Sequence, residues 1–321
     1  MRIFRAALVL ATALLALPAS AQESWPERPI RLLVPTAAGG GIDLMARILA
    51  EGLTQQLRQR VFVENQSGAG GLIAERAVAS GQGDGYTFLF PGPGHAALPY
   101  IHKNPGYDVK ADFASVSLVA RYPLVMVINP ALPAKTLGEF IAMVKASPGK
   151  YTYGSSGIGG ASHIPLAAFA YRAGLDMVHV PFRGSGETTA ALLGGQIDLV
   201  IDGLAPQLAQ IRGGRVRPLA VSTKDRSQFM SEIPTIGESL PGFQYPMWVA
   251  VFAASKTPKP IIDKMSAAIA LAVKDPMVQK RFAELLVDPV GSTPQELDRF
   301  LNEQLTFNKD IIEQTNIRVS D

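Results

Sequence analysis

Val34-Pro35-Thr36-Ala37-Ala38-Gly39-Gly40-Gly41-Ile42-Asp43 is the stretch whose reading decides the fold. The apolar run Ile30–Val34 enters it, and an amphipathic pattern of Leu44, Ile48, Leu49, Leu53 and Leu57 leaves it. That order predicts a strand, a glycine loop, and a helix reaching about Arg58. Glycines carry no Cβ, so Gly39, Gly40 and Gly41 let a ligand approach the backbone. A helix start offers unpaired N–H groups and a partial positive charge, and both favour an anion. The device recurs in Tyr153-Gly154-Ser155-Ser156-Gly157-Ile158-Gly159-Gly160-Ala161-Ser162-His163, again ahead of an apolar helix. The two loops are expected to face each other across a cleft and close on a small anion, best matched by a carboxylate.

Outward from these loops, short apolar runs alternate with helical patterns. Strands are expected at 61–64, 87–90, 116–120, 124–128, 151–154, 177–180, 199–201, 218–221 and 248–253. Helices are expected at 72–79, 136–146, 163–173, 188–193, 260–273 and 276–286, with a last long helix after Thr293. Thr136-Leu137-Gly138-Glu139, Thr235-Ile236-Gly237-Glu238 and Thr293-Pro294-Gln295-Glu296 have the spacing of capping boxes. Such alternation predicts an α/β fold with mostly parallel sheets flanked by helices, and the length predicts two lobes. The chain is expected to cross between lobes near Ile128, ahead of Asn129-Pro130, and to return in the run at Trp248. Lobe 1 would then hold 22–128 and 249–321, and lobe 2 would hold 129–248. In such sheets ligands bind outside the carboxyl ends of the strands. Two further loops stand at such ends: Pro91-Gly92-Pro93-Gly94-His95 and Phe182-Arg183-Gly184-Ser185-Gly186.

The first residues read as a leader. Arg2 and Arg5 precede an apolar segment from Ala6 to Leu17, followed by Pro18 and the small residues Ala19-Ser20-Ala21. That segment is shorter than the roughly 20 residues a membrane span needs. Cleavage is expected after Ala21, releasing a soluble, periplasmic protein; the leader has no cysteine for a lipid anchor. The whole chain of 321 residues lacks cysteine, which removes thiol catalysis and cysteine metal sites. Its formal net charge of +3 falls by two when Arg2 and Arg5 leave with the leader. No basic stripe interleaves with aromatic residues, so no nucleic-acid partner is expected.

Each candidate site residue has a structural reading beside its functional one. The Gly39–Gly41 loop has neither a following Gly-Lys-Ser/Thr nor the dinucleotide spacing, and it reads as a tight turn or an anion cradle. Asp43 reads as the helix cap, with the ligand held by loop donors rather than on its carboxylate. Ser155, Ser156 and Ser162 offer hydroxyl donors, or Ser162 caps the next helix. His163 reads as a buried helix residue or a ligand contact, and Arg183 as a surface charge or a cation near the anion. Asp202, at the end of a buried strand, could orient water, cap a loop or meet an ammonium group. His95, His102, His163 and His179 form no paired metal-binding spacing, so neither metal nor cofactor is expected. No Gly-x-Ser-x-Gly elbow exists; a Ser156/His163/Asp202 triad stays open as an alternative.

Over nearly its whole length the chain resembles the Bug or TctC-type periplasmic solute-binding proteins of tripartite tricarboxylate transporters. The matching segments include Pro29-Ile30-Arg31-Leu32-Leu33-Val34-Pro35 with Gly39-Gly40-Gly41-Ile42-Asp43, and Val63-Glu64-Asn65 with Gly68-Ala69-Gly70-Gly71. They continue through Asp84-Gly85-Tyr86-Thr87, Val178-His179-Val180-Pro181-Phe182-Arg183-Gly184 and Leu193-Gly194-Gly195-Gln196. Ile233-Pro234-Thr235 and Pro289-Val290-Gly291-Ser292-Thr293-Pro294 complete the set. The resemblance implies a two-lobed Venus-flytrap receptor for a small carboxylate, monomeric, working with membrane permease subunits. It points to Thr36, Ala37, Gly39, Gly40, Gly41 and Asp43 in one lobe, and to Ser155, Ser156, Gly157, Ser162 and His163 in the other. Gly92, His95, Arg183 and Asp202 are the remaining expected contacts, Asp202 matching a common family aspartate. The chain departs from the family at Thr36, where an aromatic residue is frequent, and at Pro91-Gly92-Pro93-Gly94, where small hydroxyl residues are frequent. Both departures touch the expected pocket. A sensing receptor and an exported hydrolase built on Ser156 or Ser185 are the competing functions.

Overall fold

A computed structural model describes residues 25–158 and 161–317. The expected leader lies outside the described residues. The first part of the chain runs β1 (Ile30–Val34), α1 (Gly41–Leu57), β2 (Val61–Asn65), α2 (Leu72–Ala79), β3 (Thr87–Leu89), α3 (Gly94–Ile101) and β4 (Phe113–Tyr122). It continues with β5 (Leu124–Ile128), α4 (Leu137–Lys145), β6 (Thr152–Ser155), α5 (His163–Ala173), β7 (Val178–Pro181), α6 (Ser185–Leu193), β8 (Leu199–Gly203), α7 (Leu204–Arg212) and β9 (Arg217–Val221). The last part is α8 (Ile236–Ser239), β10 (Met247–Ala254), α9 (Lys259–Ala272), α10 (Pro276–Glu284), β11 (Asp288–Pro289) and α11 (Pro294–Thr315).

The strands form two sheets, ordered β11-β4-β10-β3-β1-β2 and β7-β6-β8-β5-β9. In the first, β1 is parallel to β2 and β3, with Leu32 level with Val63 on one side and Phe88 on the other. In the second, β6 is parallel to β7 and β8. One strand enters each sheet from the other lobe, β10 in the first and β5 in the second. Each runs antiparallel to both its neighbours. The cause is geometric: β4 ends at the edge between the lobes, so β5 starts there and runs outward.

Period-two burial places the cores. Val249, Val251 and Ala253 of β10 join Ile30, Leu32 and Val34 in one layer under α1, α9 and α10. Trp248, Ala250 and Phe252 face the opposite layer, under α2, α3 and α11. Leu124, Met126 and Ile128 of β5 face α4 and α5, while Val125 and Val127 face α6 and α7. With a face on each core, all five residues of β5 are buried.

Three expectations need correction. The chain crosses at Pro123, not after Ile128, because β5 pairs with β8 and β9 of the second sheet. A central strand buried on both faces looks alike in either sheet, and Pro123 interrupts the run because it has no N–H for a ladder. The Pro91–His95 loop is shorter than read, since α3 starts at Gly94 despite Pro99 inside it. The last helix is shared: Leu297, Phe300 and Leu301 of α11 pack in the first lobe, and Ile311 and Ile312 pack in the core of the second.

Candidate ligand-binding cleft

A cleft of about 1220 Å³ opens between the two sheets. Thr36, Gly40 and Gly41 line it from one lobe, and Ser156, Gly157 and Ser162 line it from the other. Six helices begin on it, namely α1, α2, α3, α5, α6 and α7, because each follows a strand or loop that ends there. None of the six has a side-chain cap bond, their N-caps being Gly40, Gly71, Pro93, Ser162, Gly184 and Gly203. Away from the cleft, α4, α8, α10 and α11 are capped by Thr136, Thr235, Asp275 and Thr293. Away from the cleft only α9, which starts after Pro258, has no side-chain cap among these helices, whereas no helix start on the cleft has one, although backbone carbonyls take the Leu72, His95 and Ala96 N–H groups.

Asp43 sits in the first turn of α1, and Gly40 rather than Asp43 is the N-cap. Its Oδ2 accepts from the Gly39 N–H at 2.8 Å and from Arg47 Nε at 3.0 Å. Its Oδ1 accepts from Asn65 Nδ2 at 2.9 Å, and the same Asn65 amide holds the Thr36 carbonyl at 3.0 Å. Burial pushes the Asp43 carboxyl up, but the bonds from Arg47, Gly39 and Asn65 outweigh it and hold the group below the usual carboxylate range. Asp43 thus clamps the glycine loop from behind. Thr36 lines the cleft, and its hydroxyl is buried and without a hydrogen-bond partner among the described residues.

On the other side, the Ser156 N–H donates to Ser162 Oγ at 2.8 Å, and the two hydroxyls are 2.9 Å apart. Ser155 is buried beneath this loop, its Oγ 2.6 Å from His179 Nε2 and bonded to the Gly157 carbonyl at 3.1 Å. His163 stacks face to face on His179 at 3.9 Å. Burial and the neighbouring His179 lower the His163 imidazole to about 4, and burial lowers His179 as well. Both line a second cavity of about 470 Å³ behind the loop, and Ile158 faces both cavities.

The structure brings Thr36, Gly40, Gly41, Gly92, His95, Ser156, Gly157, Ser162 and Asp202 to the cleft wall. Ala37 and Gly39 lie on the exposed outer side of their loop, and Asp43, Ser155 and His163 lie beneath the wall. Arg183 is exposed, and its backbone N–H donates to the Glu187 carboxylate. His95 is buried in the wall, with Nδ1 2.7 Å from Glu75 Oε2 and its ring against Phe252. The Ser156/His163/Asp202 triad, left open as an alternative, gives way to other pairings. Ser156 bonds to Ser162, and the Ser185 hydroxyl donates to Asp202 Oδ1 at 3.1 Å. Sequence reasoning missed Tyr122, Tyr245 and Met247 at the hinge, and Leu98 and Ile101 of α3. The signal for Tyr122 was its place before Pro123; the signal for α3 was the apolar run after His95.

Two lobes joined by crossing strands, with uncapped helix starts from both facing one cleft, define a solute-binding protein. The chain belongs to the family described as "Tripartite tricarboxylate transporter family receptor", whose signature matches residues 45–317. It is 34% identical to Protein BugT of Bordetella pertussis over 316 residues, 97% of this chain and 96% of that protein. The solved structure of the periplasmic binding protein BugD is similar with TM-score 0.79 and 31% identity, covering 92% of this chain and all of that one. R. palustris Rpa4515 with adipate is similar with TM-score 0.81 and 30% identity, over the same shares.

Proposed function

We propose that this chain is an extracytoplasmic receptor that closes on a small carboxylate and presents it to tripartite-type membrane permease subunits. The observation that carries the reading is the set of six uncapped helix starts around the cleft, joined by the hydroxyls of Thr36, Ser156 and Ser162. Among the described residues of the wall the only Lys or Arg is Arg76, whose guanidinium donates to the carbonyls of Asn104 and Pro105. A carboxylate would therefore be held by oriented N–H and O–H donors rather than by a cation. Charge-assisted hydrogen bonds contribute roughly 1.5–3 kcal/mol each, and micromolar binding needs about 8 kcal/mol, so a handful suffice. Closure would bring the two loops onto the same carboxylate, and the closed form is what a permease would read. Export after cleavage at Ala21 and a monomeric state belong to this reading.

The test is a thermal-shift screen of the refolded protein against monocarboxylates, dicarboxylates, aromatic acids, amino acids, phosphate and sugars. Ligand at 100 times its Kd adds about 2.7 kcal/mol to stability. The expected result is a shift with one class of acids that Ser156→Ala together with Ser162→Ala abolishes. A shift with phosphate or sugars alone would remove the carboxylate from the proposal, and a cooperatively folded protein stabilised by nothing in the panel would overturn it.

A further inference from the structure

Most side chains lining the cleft are apolar, and they come from both lobes. Ile42 and Leu44 of α1 and Leu98 of α3 stand on one side, Ile158 and Leu204 on the other. Part of this surface is uncovered: Leu44 is 41% exposed and Ile158 is 52% exposed. At the end of α10 the chain turns through a left-handed residue, a place glycine usually takes, yet the residue is Leu286, with φ 57°. Its side chain packs against a core cluster of the second lobe and lines the cleft. The charged side chains of the wall are engaged within the protein. Glu75 meets His95 at 2.7 Å, and Arg76 donates to the carbonyls of Asn104 and Pro105. Asp202 takes hydrogen bonds from Gly203, Ser185 and Gln207. Backbone carbonyls already take the Leu72, His95, Ala96 and Leu204 N–H groups at the starts of α2, α3 and α7. The polar grip is thus concentrated at the two glycine loops, with the Thr36 hydroxyl on one and those of Ser156 and Ser162 on the other.

Apolar surface left open inside a cleft gains when a hydrocarbon covers it, in proportion to the area removed from water. A charged group set against the same surface loses its water and gains no partner in return. We infer, resting on the receptor reading above, that the cleft selects monocarboxylates with a hydrocarbon body over dicarboxylates of the same length. The two loops hold the one carboxylate. Leu44, Ile158 and Leu286 cover the body, the first from one lobe, the second from the other, and the third from the segment that touches both. Closure then buries apolar surface of both lobes against the same ligand. A second carboxylate would lie among these side chains with Arg76, the wall's only lysine or arginine among the described residues, already turned to Asn104 and Pro105.

The experiment is calorimetric titration of the refolded protein with butanoate, hexanoate and octanoate, and with the dicarboxylates of the same carbon numbers. Monocarboxylate affinity is expected to rise about threefold for each added methylene. Hexanoate is expected to bind at least tenfold tighter than hexanedioate. Leu44→Ser and Ile158→Ser change exposed positions, so the fold should tolerate them. Each is expected to weaken hexanoate threefold or more and to narrow its advantage over hexanedioate. Equal or tighter binding of hexanedioate by the unaltered protein, or affinity that does not grow with chain length, would overturn the inference and leave the receptor reading standing. So would an unchanged hexanoate affinity in both folded variants, or a protein that binds some other acid and none of these. Should the variants fail to fold, the two comparisons in the unaltered protein decide alone. Binding of no acid of any kind would remove the receptor reading and the inference together.

Discussion

His163 shows how a residue named as a ligand contact can act from one layer behind. It stacks on His179, whose Nε2 meets Ser155 Oγ, which in turn holds Gly157 of the ligand loop. An unfolded imidazole takes up a proton near pH 6.5, but the folded His163 does so only near about 4. Between those values the unfolded chain binds more protons, so stability falls as pH falls through the window, by up to about 3 kcal/mol. Thermal melts from pH 8 to pH 4 should show that decline, and His163→Gln, which cannot charge, should flatten it. An identical acid limb in the variant would place the lost stability elsewhere. Asp43 teaches the same lesson. Its type and position were legible as a helix-start acid, but its partners, Asn65 of β2 and the loop N–H of Gly39, depend on a strand pairing that local spacing does not carry. Asp202 was legible as a strand-end acid, whereas its partners Ser185, Gly203 and Gln207 depend on how α6 and α7 start beside the end of β8.

At the scale of elements, the sequence was most readable where one face decides. The helices at 72–79 and 163–173 begin and end where the apolar pattern does. The capping boxes at Thr235 and Thr293 close on both sides. At Thr136 the hydroxyl caps Glu139, but the Glu139 carboxylate takes the Lys135 N–H instead of closing the box. The strand at 124–128 was read in place but put in the wrong lobe, and α3 was missed, because a strand buried on both faces and a helix containing Pro99 give no periodic signal of where they belong. A packing requirement does show at Gly154 of β6. A Cβ there would lie 2.3 Å from Ile197 Cδ1 and 2.9 Å from Thr188 Cγ2, so only glycine lets α6 settle on the strand. Gly154→Ala should cost about 1–3 kcal/mol through overpacking and lower the melting temperature by a few degrees. An unchanged melting temperature would mean that Ile197 and Thr188 move aside freely.

At the scale of the molecule, α11 joins what the strand crossings separate. Ile312 is fully buried in the second lobe's core, and Leu297 and Leu301 of the same helix are buried in the first. Both tryptophans, Trp25 and Trp248, lie in the first lobe, so their fluorescence reads that lobe while circular dichroism reads both. Ile312→Ala should cost about 2–4 kcal/mol. If the lobes unfold as one unit, the fluorescence midpoint falls together with the dichroism midpoint, although the substitution sits in the other lobe. A fluorescence transition that stays in place would show the lobes to be independent. The order of strands has a consequence for synthesis. β10, which stands between β3 and β4, is made only after all five strands of the second sheet. As the chain leaves the ribosome, the second lobe's strands are complete while the first sheet still lacks a central member. The strands of the part made first therefore lack a neighbour along β10's place until residue 254 has emerged, and the second lobe's core in turn waits for Ile311 and Ile312 of α11.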